Sequence, residues 1–229
     1  MARLQLQTSH KDLNNSLEID TDILDGDQQL KLIEMFKKQK IIDFKNENPH
    51  NRATKRFKSL YRGSEDGFKS DSFYTKCGGQ KNVFCIIESE ENNIFGGYSE
   101  KGWKTLKPNE DKIKYNQDSN AFLFCFKSAS INDDFESDEK EDNDSRLEIF
   151  GLRSDSESKY SMVSIQESMC GFGENGQDIC ISNLCNSNNE SWISFDEYGS
   201  TFNTPSHSYL NDGFNWFQVK HIEIFQIVY

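Results

Sequence analysis

Long apolar runs are missing from this chain. None approaches the roughly eighteen consecutive apolar residues that a membrane-spanning helix needs. The opening residues, MARLQLQTSHKDL, also lack the apolar core of a secretory leader. The expectation is a chain that works in the cytoplasm, where its 6 cysteines stay reduced. Positive charge is short as well. A net charge of −12 argues against a general nucleic-acid binder, since phosphate attraction needs a basic face. The cysteines include no CxxC pair, so the tight knuckle of a structural zinc site is absent. Apolar residues make up only 34% of the chain, which leaves room for solvated loops beside the core.

Aromatic residues are plentiful. With 18 Phe, 8 Tyr and 3 Trp, 229 residues can bury one sizeable core, and the length is too short for two large domains. Residues 1–22 are polar and aperiodic and read as a flexible lead-in. From Asp25, DGDQQLKLIEMFKKQK has helical spacing, with Leu30, Ile33 and Phe36 on one stripe, widened by Leu32 and Met35. The aspartate is placed to cap it and the lysines suit its C-terminal end. SDSFYTKC predicts a shorter helix capped by Ser70. After Gly78-Gly79 the character changes to strands, among them NVFCIIES, NNIFGGYS, AFLFCFK, LEIFGLR, SMVSIQES, DICISN, SWISF and WFQVKHIEIFQIVY. AFLFCFK is nearly all apolar, as a strand covered on both faces would be. Residues 133–144, DDFESDEKEDND, carry eight acidic residues and one lysine and predict a solvated acidic loop near 131–146. Few helices and many strands predict an α+β, mainly β architecture, with two antiparallel sheets packed as a β-sandwich flanked by short helices.

Several stretches imitate chemical motifs. CGFGENGQDI contains a GxGxxG through Gly171, Gly173 and Gly176. A dinucleotide fingerprint needs those glycines between a strand and a helix, whereas QDICISN predicts a strand next, so the segment reads as a turn. GYSEKG resembles a nucleophile elbow around Ser99 but is one residue too long. DTDILDG faintly resembles a calcium loop, with its third carboxylate late and Lys31 where a bidentate glutamate is needed. Cys180 and Cys185 with His207 or His221 would make an untypical zinc set. Cys77, beside Lys76 and a glycine pair, is the candidate for an accessible, activated thiol, and thiol redox chemistry is the alternative function it would serve. No cofactor, catalytic residue or metal ligand is assigned. Between Lys37 and Arg62 the chain gathers nine basic residues, Lys37, Lys38, Lys40, Lys45, Arg52, Lys55, Arg56, Lys58 and Arg62. They form a candidate face for an acidic protein or an anionic lipid surface.

The ordered blocks FKSLYRGSEDGFKSDSFYTKCGG, IIESEENNIFGGYSEKGW, SNAFLFCFKS, GFGENGQDICISNLCNSNNES and WFQVKHIEIFQIVY together resemble the TLDc domain, from about Ile23 to Tyr229. That resemblance implies an antiparallel sandwich with short flanking helices. It also implies a non-catalytic interaction module associated with oxidative-stress resistance and with binding the vacuolar proton-pumping ATPase. Relatives often read FGGGHDI where this chain has GFGENGQDI, with Gln177 at the common histidine position, and the acidic stretch is longer here. Gly63, Gly67, Gly96, Gly97, Gly171, Gly173, Gly176 and Glu223 fall on recurrent family positions. The glycines read as turn and close-packing positions, and Glu223 as a surface or structural carboxylate.

Overall fold

A computed structural model of the chain describes residues 17–42, 56–106, 112–127, 145–193, 201–204 and 210–228. Among the described residues, helix α1 (Gly26–Lys38) precedes the first strand, β1 (Phe57–Arg62). A single helical turn, α2 (Gly63–Asp66), and a short helix, α3 (Ser70–Cys77), follow it. The remaining strands are β2 (Val83–Ser89), β3 (Ile94–Ser99), β4 (Ile113–Asn116), β5 (Phe122–Lys127), β6 (Arg146–Phe150), β7 (Met162–Ile165), β8 (Ser168–Phe172), β9 (Ile179–Ser182), β10 (Ser191–Trp192), β11 (Trp216–Phe217) and β12 (Val219–Ile227). They form two six-stranded antiparallel sheets, ordered β1-β12-β2-β3-β5-β6 and β11-β10-β9-β8-β7-β4. The expected mainly β sandwich with short helices is what the chain builds.

The two sheets enclose the main core. Alternation along each strand decides who enters it. Val83, Cys85 and Ile87 of β2, Leu123 and Cys125 of β5, and Ile222 and Ile224 of β12 face Met162, Met169, Phe172, Ile179 and Ile181 of the second sheet. The glycine pair of β3 makes this approach close. A Cβ at Gly97 would lie 2.6 Å from the Phe172 ring, so the absent side chain is the space that ring occupies. Trp103 closes one end, its ring 5.2 Å from Phe73 and 5.7 Å from Phe172, with its indole N–H donated to the Gly171 carbonyl at 3.2 Å.

A second core lies on the opposite face of the first sheet. Phe57, Phe84, Ile86, Tyr98, Phe122, Phe124, Phe126, Phe225 and Ile227 supply the sheet side. Leu17, Ile19, Ile23, Leu24, Leu32, Ile33, Met35, Phe36 and Ile42 supply the other. That explains why Val83–Ile87 and Phe122–Phe126 are apolar at every position. Phe36 is the centre, with ring centroids 5.0 Å from Phe84, 6.0 Å from Tyr98, 6.2 Å from Phe57 and 6.5 Å from Phe122.

Three local expectations change. The lead-in does not extend to residue 22, because Leu17 and Ile19 are buried in the second core, and residues 1–16 lie outside the described residues. Leu30 is 43% exposed, since the packed face of α1 runs through Leu32, Ile33, Met35 and Phe36 instead. Ser70 is the first residue of α3 and not its cap. The cap position is Lys69, without a side-chain bond, and the Asn183 carboxamide accepts the Ser70 N–H from across the fold at 2.9 Å. Asp25, by contrast, caps α1 as expected and forms a reciprocal capping box with Gln28. The acidic loop falls outside the described residues.

Candidate functional site

Glu223 is the polar centre of the family-matching positions. Period-two alternation puts it in phase with Phe225 and Ile227, so β12 turns its carboxylate toward the second core, where it is 3% exposed. Arg62 is its cross-strand partner in register on β1, with Nε 3.7 Å from Oε1. From the segment before α1, the Thr21 hydroxyl donates to Oε2 and the Asp22 N–H to Oε1 at 3.1 Å. Burial pushes the Glu223 pKa up, opposed by Thr21, the Asp22 N–H and Arg62. The Arg62 guanidinium donates to the Asp20 carbonyl and pairs with Asp20 and Asp22 at 3.5 Å each and with Glu65 at 3.9 Å. Burial alone would lower its pKa, but Glu223 and these three carboxylates outweigh that and hold it above its ordinary value. Three separate pieces of chain therefore meet on one ion-paired carboxylate, which is a structural reading of Glu223 and not a surface one.

The loop after Arg62 is tied down as firmly. Asp66 accepts the Arg62 N–H at 3.0 Å and the Lys76 ammonium at 2.5 Å, and Tyr61 donates its hydroxyl to the Gly67 carbonyl. Gly63 is buried against Phe68 and Ile222, and Gly67 turns the chain at φ +81°. Gly96 abuts the Cys85 carbonyl beneath the second core.

Gly171 lies within β8, where a Cβ would meet Val163, and Gly173 and Gly176 build the turn between β8 and its antiparallel neighbour β9. At Gly173, φ is +84° and a Cβ would lie 1.9 Å from an Asp178 carboxylate oxygen. Asp178 is 2% exposed and accepts the N–H groups of Thr201 at 2.9 Å and Phe202 at 3.2 Å. Burial pushes its pKa up to about 7. Gly173 thus abuts a protein carboxylate, and a strand follows the GxGxxG as expected. Ser99 ends β3, and its side chain holds the turn that follows. Its hydroxyl donates to the buried Asp118 at 2.5 Å and accepts the N–H groups of Lys101 at 3.1 Å and Gly102 at 2.7 Å. Sequence reasoning missed Asp118 and Asp178, because nothing local marks either aspartate as buried.

Cys77 corrects the expectation of an accessible thiol. It is 0% exposed, and burial pushes its pKa far up, with Asp66 adding to the shift and Lys76 opposing it. Adjacent helical residues point about 100° apart, so Lys76 faces solvent while Cys77 shares the inward face of α3 with Phe73 and Tyr74. All six thiols are buried, and burial pushes Cys125, Cys180 and Cys185 up to about 12. Cys180 meets Ser168 at 3.4 Å and Cys185 meets Met169 at 3.7 Å, so the two have separate partners.

The basic run divides. Arg52 and Lys55 lie outside the described residues. Arg62 is turned inward, with a side chain 12% exposed, and drops out of a free basic face. Lys38, Lys40 and Lys58 are exposed, and Lys37 and Arg56 are half-buried. Lys40 lines a cleft of about 730 Å³ with Asn82, Glu100 and Asn120. At the far edge of the second sheet, Trp216 and Phe214 are exposed, and the Trp216 ring lies 5.7 Å from Trp192. Among the described residues no helix is long and apolar enough to cross a membrane.

Compared with known proteins, residues 17–228 match the family model of the TLDc domain. The match begins at Leu17, which is buried in the second core. No curated protein matches this chain.

Proposed function

Because this chain belongs to the TLDc domain family, a module linked to resistance against oxidative stress, we propose that it acts in the cytoplasm as a non-catalytic binding module for the vacuolar proton-pumping ATPase. The observation that carries this reading is how its reactive-looking groups are used. The Ser99 hydroxyl is committed to Asp118, the Cys77 thiol is buried, and Gly173 of the GxGxxG is packed against Asp178. Glu223 and Arg62 hold chain segments to one another. The family-matching residues are committed to the fold, and the work of such a module is done by its surface.

The exposed lysines at the end of α1 suit an acidic patch on the partner, and the same charges suit peripheral contact with an anionic membrane. Binding alters the partner by favouring one of its assembly states, which requires different affinities for the two. The test is direct binding of the purified chain to the purified ATPase. Saturable binding is expected, weakened by Lys38→Glu and Lys40→Glu together. Absence of saturable binding contradicts the proposal.

A further inference from the structure

Leu17–Ile42 is attached to the protein in an unusual way. Half of the second core belongs to it, yet among the described residues no backbone hydrogen bond joins Leu17–Lys40 to a strand. Its backbone bonds run within the segment, as in Gln29 to Asp25 and Ile41 to Phe36. At its start Thr21 and Asp22 hold Glu223, and Arg62 holds Asp20 and Asp22. Farther along, Lys31 donates to the Ser145 carbonyl at 2.5 Å.

We infer that Leu17–Ile42 is a latched layer, one cooperative unit that opens from the first sheet while the sandwich stays folded, with the Thr21–Glu223–Arg62 cluster as its latch. Three observations lead there. Apolar contact without a shared ladder lets a segment leave without breaking the sheet, which is how sub-global opening units are built. The latch joins the layer to β12, a strand flanked on both sides within the sheet. Glu223 is a carboxylate placed in phase with Phe225 and Ile227, where an apolar residue would complete the core. A polar group there makes attachment depend on one set of partners, and the opened face is a sheet of aromatic rings.

Native-state hydrogen exchange of the whole chain, followed by mass spectrometry at several low urea concentrations, tests this. In the wild type, amides of α1 should exchange through an opening that precedes the one exposing β2, β5 and β12. Thr21→Val removes the hydroxyl donor to a charged acceptor and should raise exchange throughout Leu17–Lys38 by about tenfold or more, leaving those strands unchanged. Thr21→Ser, which keeps the hydroxyl, should match the wild type. Exchange of α1 in step with the central strands overturns the inference, as does an effect of Thr21→Val confined to its immediate neighbours or spread equally over the protein. Should Thr21→Val not fold, the order of opening in the wild type still decides.

Discussion

Gly97→Ala should wedge the two sheets apart. The new Cβ would lie 2.6 and 2.7 Å from two atoms of the Phe172 ring and 2.9 Å from a methyl of Leu123. Gly97 and Phe172 are in facing sheets, and Phe172 and Leu123 are both 0% exposed, so neither neighbour can swing into solvent. Overpacking of this kind costs about 1–3 kcal/mol. For a domain of this size each kcal/mol lowers the melting temperature by roughly 2–4 °C. Phe172→Leu alone should also destabilise, by about 1 kcal/mol or more, through the space it leaves. Leucine lacks the ring atoms that the alanine would strike, so the double variant should recover part of both losses. Urea denaturation of the four proteins gives the cycle, with a compensating coupling of about 1 kcal/mol expected. Strict additivity would refute the claim that Gly97 is small because Phe172 stands against it.

Other expectations follow from burial and topology. In the native protein at mildly alkaline pH, none of the six thiols should react with a disulfide reagent at the rate of a free cysteine, and all six should react in denaturant; one fast native thiol would contradict their burial. Asp178, raised to about 7, contributes stability that is fully present below its unfolded value near 3.8 and is lost as pH rises through 7. Between those limits the wild type should therefore gain on Asp178→Asn as pH falls, with a slope of up to about 1.4 kcal/mol per pH unit, measured by urea melts at several pH values. Ending the chain before Ile222 removes Ile222, Ile224, Phe225 and Ile227, all buried, and with them about 1.5–3 kcal/mol per side chain. The truncated chain should be insoluble or readily proteolysed, and a soluble product with an unchanged unfolding midpoint would contradict the central place of β12.

Much of the architecture is legible in local pattern. The capping box of α1 is visible as Asp25 and Gln28, and β2, β3, β5 and β12 are visible as runs of β-branched and aromatic residues. The apolar runs even announce that the first sheet is covered on both faces. They do not say by what, because the cover is the chain's own N-terminal segment, paired with the sheet by packing and not by any ladder. The fate of Arg62 is hidden for a related reason. Counted along the chain it joins a basic run, but strand register sets it opposite Glu223, and register is a long-range property. Cys77 was readable in principle, because Phe73, Tyr74 and Cys77 have the spacing of one helical face. Adjacency to Lys76 is a weaker guide than that spacing. Asp118 and Asp178 become buried only through segments that reach them from elsewhere, Ser161 in one case and Thr201 and Phe202 in the other.

The most direct test of the proposed function compares two states of the partner. Binding isotherms of the purified chain are measured against the assembled vacuolar ATPase in membranes and against its detached catalytic sector, at the same salt concentration. A module that acts by favouring one assembly state must bind that state more tightly, and a difference of about tenfold corresponds to a coupling of about 1.4 kcal/mol. The account predicts saturable binding with unequal affinities for the two. Equal affinities, or no binding to either, would contradict it.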